Sequence, residues 1–301
     1  MTDQNSSPEH SVSTVITSYN KGPWLDEAIQ SALSQELDSH EVLVIDDGSQ
    51  DNTRQVAESF GTRIRYYYQE NAGQVAAKNK GIELATGNFI AFLDGDDRWR
   101  PTKLKKQIEK FKADPEVGVV YTDRLKFKGD QIVLASNKMG HIPREGYVTE
   151  FLIYDMFVPF SSSMVRKTAL DQAGWMNEAC PIAPDYDLWL RLSTVCKFAY
   201  VDEILMEYRT GIDSIGTRVK TKTDYVIKIQ EDFVRDFFDG KFPYPKSLNR
   251  AYFNKYVAAG NFQLGQRQNM TALKYFLKAA KYQPFHFSIY RSILRSMIWK
   301  P

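Results

Sequence analysis

The chain has 301 residues, 43% of them hydrophobic, enough for a substantial core and for one large domain or a domain with a smaller appendage. Its 39 Lys and Arg against 37 Asp and Glu leave a net charge of +2, no global basic field, and so disfavour nucleic-acid binding by phosphate neutralisation. Two cysteines, Cys180 and Cys196, exclude a disulfide scaffold, while a polar Met1 to His10 and the lack of any run of about 18 apolar residues predict a cytoplasmic chain not inserted in a bilayer.

The first half alternates strand and helix patterns. Val12 to Ser18 reads as a strand and Pro23 to Gln35 as a helix, with proline suited to the first turn and Leu25, Ala28, Ile29, Ala32 and Leu33 on one stripe. A second strand, Glu41 to Ile45, runs into Asp46, Asp47, Gly48 and Ser49, and Asp51 can cap a helix through Ala57. Ile64 to Tyr68 is a third strand, Gln74 to Ala85 a helix closed by Gly87, and Phe89 to Leu93 a fourth strand. Pro101 to Lys112 continues as a helix and Val117 to Tyr121 as a strand. This alternation predicts an α/β fold, a mostly parallel sheet with helices on both faces. Thr122 to Pro184 is irregular, and Tyr186, Leu188, Trp189, Leu190 and Leu192 then mark a buried helix.

Beyond about Gly216 the pattern is all helical, so the expected division is residues 10–215 and 216–301. Tyr256, Gly260, Gly265, Ala272, Tyr275, Phe276, Ala279, Ala280 and Pro284 resemble one tetratricopeptide-type hairpin, which needs a neighbour to cover its face. It reads as a docking surface or as a lid on the main domain. The end, Tyr290 to Pro301, pairs Arg291, Arg295 and Lys300 with Ile293, Leu294, Met297, Ile298 and Trp299, a basic amphipathic pattern that suits peripheral contact with an anionic membrane or a packed terminal helix.

Chemistry concentrates where the strands end. Parallel strands joined by helices present their carboxyl ends to one edge, so Thr17, Ser18, Tyr19 and Asn20 become neighbours of Asp46 and Asp47 and of Asp94, Asp96 and Asp97. An aromatic ring, hydroxyls and a carboxylate suit a nucleobase and ribose. The Asp94-Gly95-Asp96-Asp97 tract suits Mg²⁺ or Mn²⁺, which takes one or two carboxylates plus phosphate oxygens, although the same residues also build idle acidic turns. Lys78, on the helix after Gly73, adds positive charge for a diphosphate, or is an ordinary helix lysine.

Val15-Ile16-Thr17-Ser18-Tyr19-Asn20, Val44-Ile45-Asp46-Asp47-Gly48-Ser49, Asn71-Ala72-Gly73 with Ala77-Lys78-Asn79-Lys80-Gly81, and Phe92-Leu93-Asp94-Gly95-Asp96-Asp97 together resemble family 2 glycosyltransferases of the GT-A fold. Four motifs fall in order over roughly residues 10–215. The resemblance implies an inverting, Mn²⁺- or Mg²⁺-dependent transferase that moves a sugar from a nucleotide-diphosphate donor, UDP foremost, to a hydroxyl of a glycan or lipid-linked acceptor. By the same resemblance Thr17, Tyr19 and Asp46 hold the nucleoside, Asp94 and Asp96 form the metal-and-diphosphate motif with Asp96 as direct ligand, and Lys78 stands where the family usually has arginine. Asp185, in Pro184-Asp185-Tyr186-Asp187, takes the place of the catalytic base, with Pro184 replacing a glutamate. Such a carboxylate removes the acceptor hydroxyl's proton opposite the leaving diphosphate, and an aspartate before a helix can equally be a cap. The family's later histidine is absent from Tyr208-Arg209-Thr210-Gly211, leaving Arg209 to supply charge, and Trp175 is placed to stack on a sugar or to fill the core.

Two other functions fit parts of this pattern. A sugar-phosphate nucleotidyltransferase shares doubly wound architecture and carboxylate metal sites, but Tyr19-Asn20-Lys21-Gly22-Pro23 is poor for cradling a triphosphate. A nonenzymatic sugar-nucleotide or glycan-binding protein would explain Pro184 and the missing histidine.

Overall fold

The computed structural model describes residues 11–136, 142–211 and 222–298. The expected boundary at 215/216, the polar leader 1–10, and Trp299 and Lys300 lie outside the described residues. Two compact units emerge, Met1–Val148 with Phe157–Asp213, and Thr149–Met156 with Ser214–Pro301.

The first unit is built on nine strands: β1 Val12–Ser18, β2 His40–Asp47, β3 Arg65–Gln69, β4 Phe89–Asp94, β5 Arg98–Trp99, β6 Val117–Lys128, β7 Gln131–Leu134, β8 Met164–Arg166 and β9 Lys197–Arg209. They pair in the order β3-β2-β1-β4-β8-β6-β9-β5, with β7 on β6. β3, β2, β1 and β4 are parallel, whereas β8 runs antiparallel to β4 and β6 and β5 antiparallel to β9. β1, β2 and β4 are buried on both faces and read as near-continuous apolar runs for that reason, whereas β3, at the sheet's edge, is largely exposed.

Helices α1 Gly22–Leu33, α2 Thr53–Glu58, α3 Gln74–Leu84 and α4 Lys103–Ala113 follow or link these strands, and α6 Lys167–Ala173 and α7 Pro184–Leu192 come later; α5 Thr149–Tyr154 falls in the second unit. The stripe forecast for α1 is buried at Leu25, Ala28, Ile29 and Ala32. Each fully buried large apolar side chain of this kind contributes about 1.5–3 kcal/mol. Asp51 works at two helix starts, accepting from Thr53 N at 2.9 Å and Gly22 N at 3.0 Å. β6 extends well past the predicted Tyr121, and β9 occupies a stretch read without a strand.

The second unit holds helices Lys222–Phe238, Pro245–Gly265, Asn269–Tyr282 and Phe287–Ile298. The predicted hairpin is its centre: Phe276, fully buried, lies so close to Gly260 that a methyl there would meet the ring at 2.4 Å. Ile227 and Ile289, from the helices before and after, close the same core, which supplies the support a lone hairpin lacks. No described helix is long and apolar enough to cross a membrane.

Candidate active site

β1 lies between β2 and β4, and the chain leaves it in opposite directions, so its carboxyl end is a topological switch point where an open α/β sheet binds ligands. Ser18 is in register with Asp46, and Thr17 with Asp94. Three motifs distant in sequence thus meet at one edge.

The Asp94-Gly95-Asp96-Asp97 turn is packed against the end of β1. Gly95 N donates to Thr17 O at 2.9 Å, and a Cβ on Gly95 would stand 3.1 Å from that oxygen and 3.3 Å from the Ser18 side chain. Glycine therefore fits the turn and aims its flanking carboxylates apart. Asp94 Oδ1 pairs with Lys78 Nζ at 3.1 Å. Lys78 is 5% exposed and lies over the Phe160 ring at 4.0 Å, so it is a buried ammonium and not a solvated helix lysine. Asp96 Oδ2 pairs with Lys21 Nζ at 2.5 Å. Asp97 is buried beneath, its Oδ1 accepting from Arg209 N at 3.0 Å; burial first, then the Asp96 and Asp94 charges, push its carboxyl well above the ordinary range.

Asp46 is buried and both of its oxygens are engaged, by Ser49 N at 2.9 Å and Tyr66 OH at 2.8 Å. These bonds fix the carboxylate at the end of β2. Asp47 likewise accepts from Gln69 Nε2 and from the Ala72 and Gly73 amides, fixing the loop into α3. Tyr19 is 47% exposed above these groups' strand ends, and Asn20, at φ 52°, ties the two loops by donating its N–H to Ser49 Oγ and accepting from Gln50 N. Asparagine tolerates this left-handed conformation better than most residues.

Asp185 stands in the first turn of α7, presented by Ala183 at φ 54° and by Pro184 at the helix start. Arg124, on β6, is a buried cation that feels its charge. The Asp97, Asp123 and Asp185 charges all act on this guanidinium, opposing the burial that pulls its pKa down. Tyr208 packs 5.1 Å from Arg124, and burial, followed by the Asp97, Asp94 and Asp96 charges, pushes its phenol up to about 12. Asp185 and the Asp94–Asp97 turn therefore share one electrostatic neighbourhood.

Two expected contributors have other partners. Arg209 gives its guanidinium to Glu27 at 2.7 Å and to Asp96 O at 2.9 Å, while burial is outweighed by Arg209 and Arg98 in holding Glu27 below its ordinary range. Arg209 thus braces the turn from behind. Trp175 is half-buried, its indole donating to Asp171 and its carbonyl accepting from Arg191. Asn79 joins that loop to α3 through Met176 O and N. Lys21, Arg124 and Tyr208 were not named as site residues from the sequence; Lys21 directly follows the Thr17–Asn20 motif and Tyr208 opens the Tyr208–Gly211 stretch, whereas Arg124 carried no signal.

Among the described residues no three His, Cys, Asp or Glu side chains form a metal cage. The residues still fit a divalent cation of the kind completed by phosphate oxygens, because Asp94 and Asp96 are each paired with a single lysine and the glycine turn holds them at the carboxyl edge of the sheet.

A switch point with paired carboxylates at the strand ends, on a sheet that turns from parallel to mixed, is the arrangement of the GT-A fold. The family profile described as glycosyl transferase family 2 matches residues 13–173, more than half of the sequence. The chain belongs to that family. It is 30% identical over 211 residues to a putative teichuronic acid biosynthesis glycosyltransferase, TuaG, of Bacillus subtilis, covering 68% of this chain and 81% of that one. An uncharacterized glycosyltransferase of Rickettsia conorii is 31% identical over 210 residues, 66% of this chain but only 34% of the longer relative. Among solved structures, S. aureus TarS residues 1–349 in complex with UDP-GlcNAc superposes with a TM-score of 0.63 at 15% identity, covering 95% of this chain and 91% of that one. The Pyrobaculum calidifontis mannosyltransferase PcManGT, in complex with GDP-Man and Mn²⁺, gives 0.56 at 15% identity, covering 96% and 88%.

Proposed function

We propose that the protein is an inverting glycosyltransferase that moves a sugar from a UDP-linked donor to a hydroxyl of a glycan or lipid-linked acceptor. The observation that supports this most is the register of β1 with both of its neighbours, which sets Ser18 beside Asp46 and Thr17 beside Asp94 at one edge of the sheet. TarS and PcManGT, solved with UDP-GlcNAc and with GDP-Man and Mn²⁺, add support for a nucleotide-sugar donor and a divalent ion.

In this reading Tyr19 stacks on the base, and Thr17 and Asp46 hold the nucleoside, Asp46 being fixed by Ser49 and Tyr66. Asp94 and Asp96 would hold Mn²⁺ or Mg²⁺, Asp96 directly, and the ion supplies charge neutralisation to the diphosphate. Lys78, fixed between Asp94 and Phe160, adds a positive charge that needs no reorganisation. Asp185 takes the acceptor hydroxyl's proton as that oxygen bonds to the anomeric carbon, and the bond from that carbon to the diphosphate oxygen breaks with its electron pair on the nucleoside diphosphate. Attack from the face opposite the leaving group inverts the centre. A lipid-linked acceptor would place this reaction at a membrane surface.

The test is release of nucleoside diphosphate from UDP-sugars with Mn²⁺, compared in the wild type, Asp96→Asn and Asp185→Asn. Loss of a general base costs about 10²–10⁴-fold, so Asp185→Asn should fall at least a hundredfold while still binding UDP. Turnover within a few fold of wild type rejects the assignment of the base, and pyrophosphate release would mark nucleotidyl transfer instead.

A further inference from the structure

The near-neutral total conceals a segregation of charge. Residues 240–301 contain eleven Lys and Arg and not one Asp or Glu, whereas the preceding 239 residues carry 28 basic and 37 acidic side chains. A net +11 thus sits beside a net −9 along one chain. Such asymmetry is a mark of binding to a polyanion or an anionic surface.

The helix Phe287–Ile298 has two apolar faces. Ile289, Ile293 and Ser296 turn inward, Ile289 being 1% exposed in the core of the second unit. Phe287, Tyr290, Leu294 and Met297, spaced three, four and three residues apart, share a different stripe and remain 85%, 46%, 55% and 61% exposed. Phe285, just before the helix, is 88% exposed, and Arg291 and Arg295 flank the stripe. The helix Asn269–Tyr282 repeats the chemistry, with exposed Met270, Lys274, Leu277, Lys278 and Lys281 at helical spacing.

We propose that this face docks on an anionic lipid surface, with Phe285, Phe287, Leu294 and Met297 entering the headgroup boundary and the basic side chains pairing with lipid phosphates. Amphipathic helices bind membranes through that combination of apolar area and positive charge. A soluble polyanion, whether an acidic glycan or a nucleic acid, would use the charges but leave the large apolar side chains in water. A second copy of the chain would cover them only by bringing two such positive faces together. The proposal stands apart from the transferase reading, because it uses none of the residues of the first unit.

Co-sedimentation of the full chain with vesicles tests it, using phosphatidylcholine alone and an equal mixture of phosphatidylcholine and phosphatidylglycerol, at low and high salt. Binding should require phosphatidylglycerol, weaken with salt, and fall about tenfold or more in both Arg291→Glu/Arg295→Glu and Phe285→Ser/Phe287→Ser, with circular dichroism unchanged. Equal binding to neutral vesicles overturns the proposal. So does wild-type binding by the phenylalanine double variant, which would indicate adsorption by charge alone, or a concentration-dependent dimer that the same variant abolishes.

Discussion

A cation entering beside Asp96 must compete with the Lys21 ammonium already on its Oδ2. Both groups are about one-fifth exposed, so the pair is shielded from solvent more than a surface ion pair, yet open enough to be exchanged. Lys21→Met is therefore expected to strengthen Mn²⁺ binding by the nucleotide-free protein severalfold, the equivalent of about 1 kcal/mol, read from the free Mn²⁺ signal in electron paramagnetic resonance. Weaker binding would mean that the ammonium supports the site instead of competing for it. His40 makes a separate residue-scale prediction. Burial, partly offset by Glu41, lowers its pKa from 6.5 to about 4, and its Nε2 lies 2.7 Å from Thr14 Oγ1. Between pH 6.5 and 4 the unfolded chain holds the extra proton, so stability is complete above that window and is lost as pH falls through it. The loss approaches roughly 2–3 kcal/mol, and His40→Gln should flatten the fall in melting temperature between pH 7 and 5. An unchanged slope in that variant would assign the acid sensitivity elsewhere.

Helix α3 reaches the site because it can approach β1 closely. A methyl on Gly81 would fall 2.1 Å from Val15 Cγ1, a branched side chain at the middle of the sheet with little room to rotate. Gly81→Ala must lift the helix that carries Lys78 and Asn79, so it should destabilise by about 1–3 kcal/mol and weaken UDP binding at the same time. Calorimetry of nucleotide binding alongside thermal denaturation checks this, and a variant unchanged in both would mean the strain is absorbed at Val15. The elements readable in advance were those with a single simple pattern: β1, β2 and β4 are apolar throughout, and α1 keeps its stripe. The far half of β6 and the whole of β9 were not readable, since Asp123, Arg124 and Lys126 interrupt the first and Asp202 and Glu203 cut the second after a short apolar start. Those polar residues are tolerated because tertiary partners face them, Arg124 above all, and partners remote in sequence leave no local signal.

At the scale of the whole molecule, the strand-end motifs were legible because parallel topology alone brings them together, while the charges of Asp97 and Asp185 acting on Arg124 depend on the mixed half of the sheet. Total charge was misleading in the opposite way, since +2 averages two regions of opposite sign. The two units also have separate apolar cores, one around Ile16, Leu25 and Phe89 and one around Tyr252, Phe253 and Phe276. The second is small, so the deletion of one large side chain removes much of what holds it. Phe276→Ala should cost about 3–5 kcal/mol, comparable with the total stability of a small domain. If the units fold independently, this variant loses helical circular dichroism and becomes open to proteolysis within residues 222–298, while the first unit survives digestion and still binds UDP. Protease sensitivity spread through both units, with nucleotide binding lost in step, would instead make the chain a single cooperative body, and the helical region would then be required for the transferase fold itself.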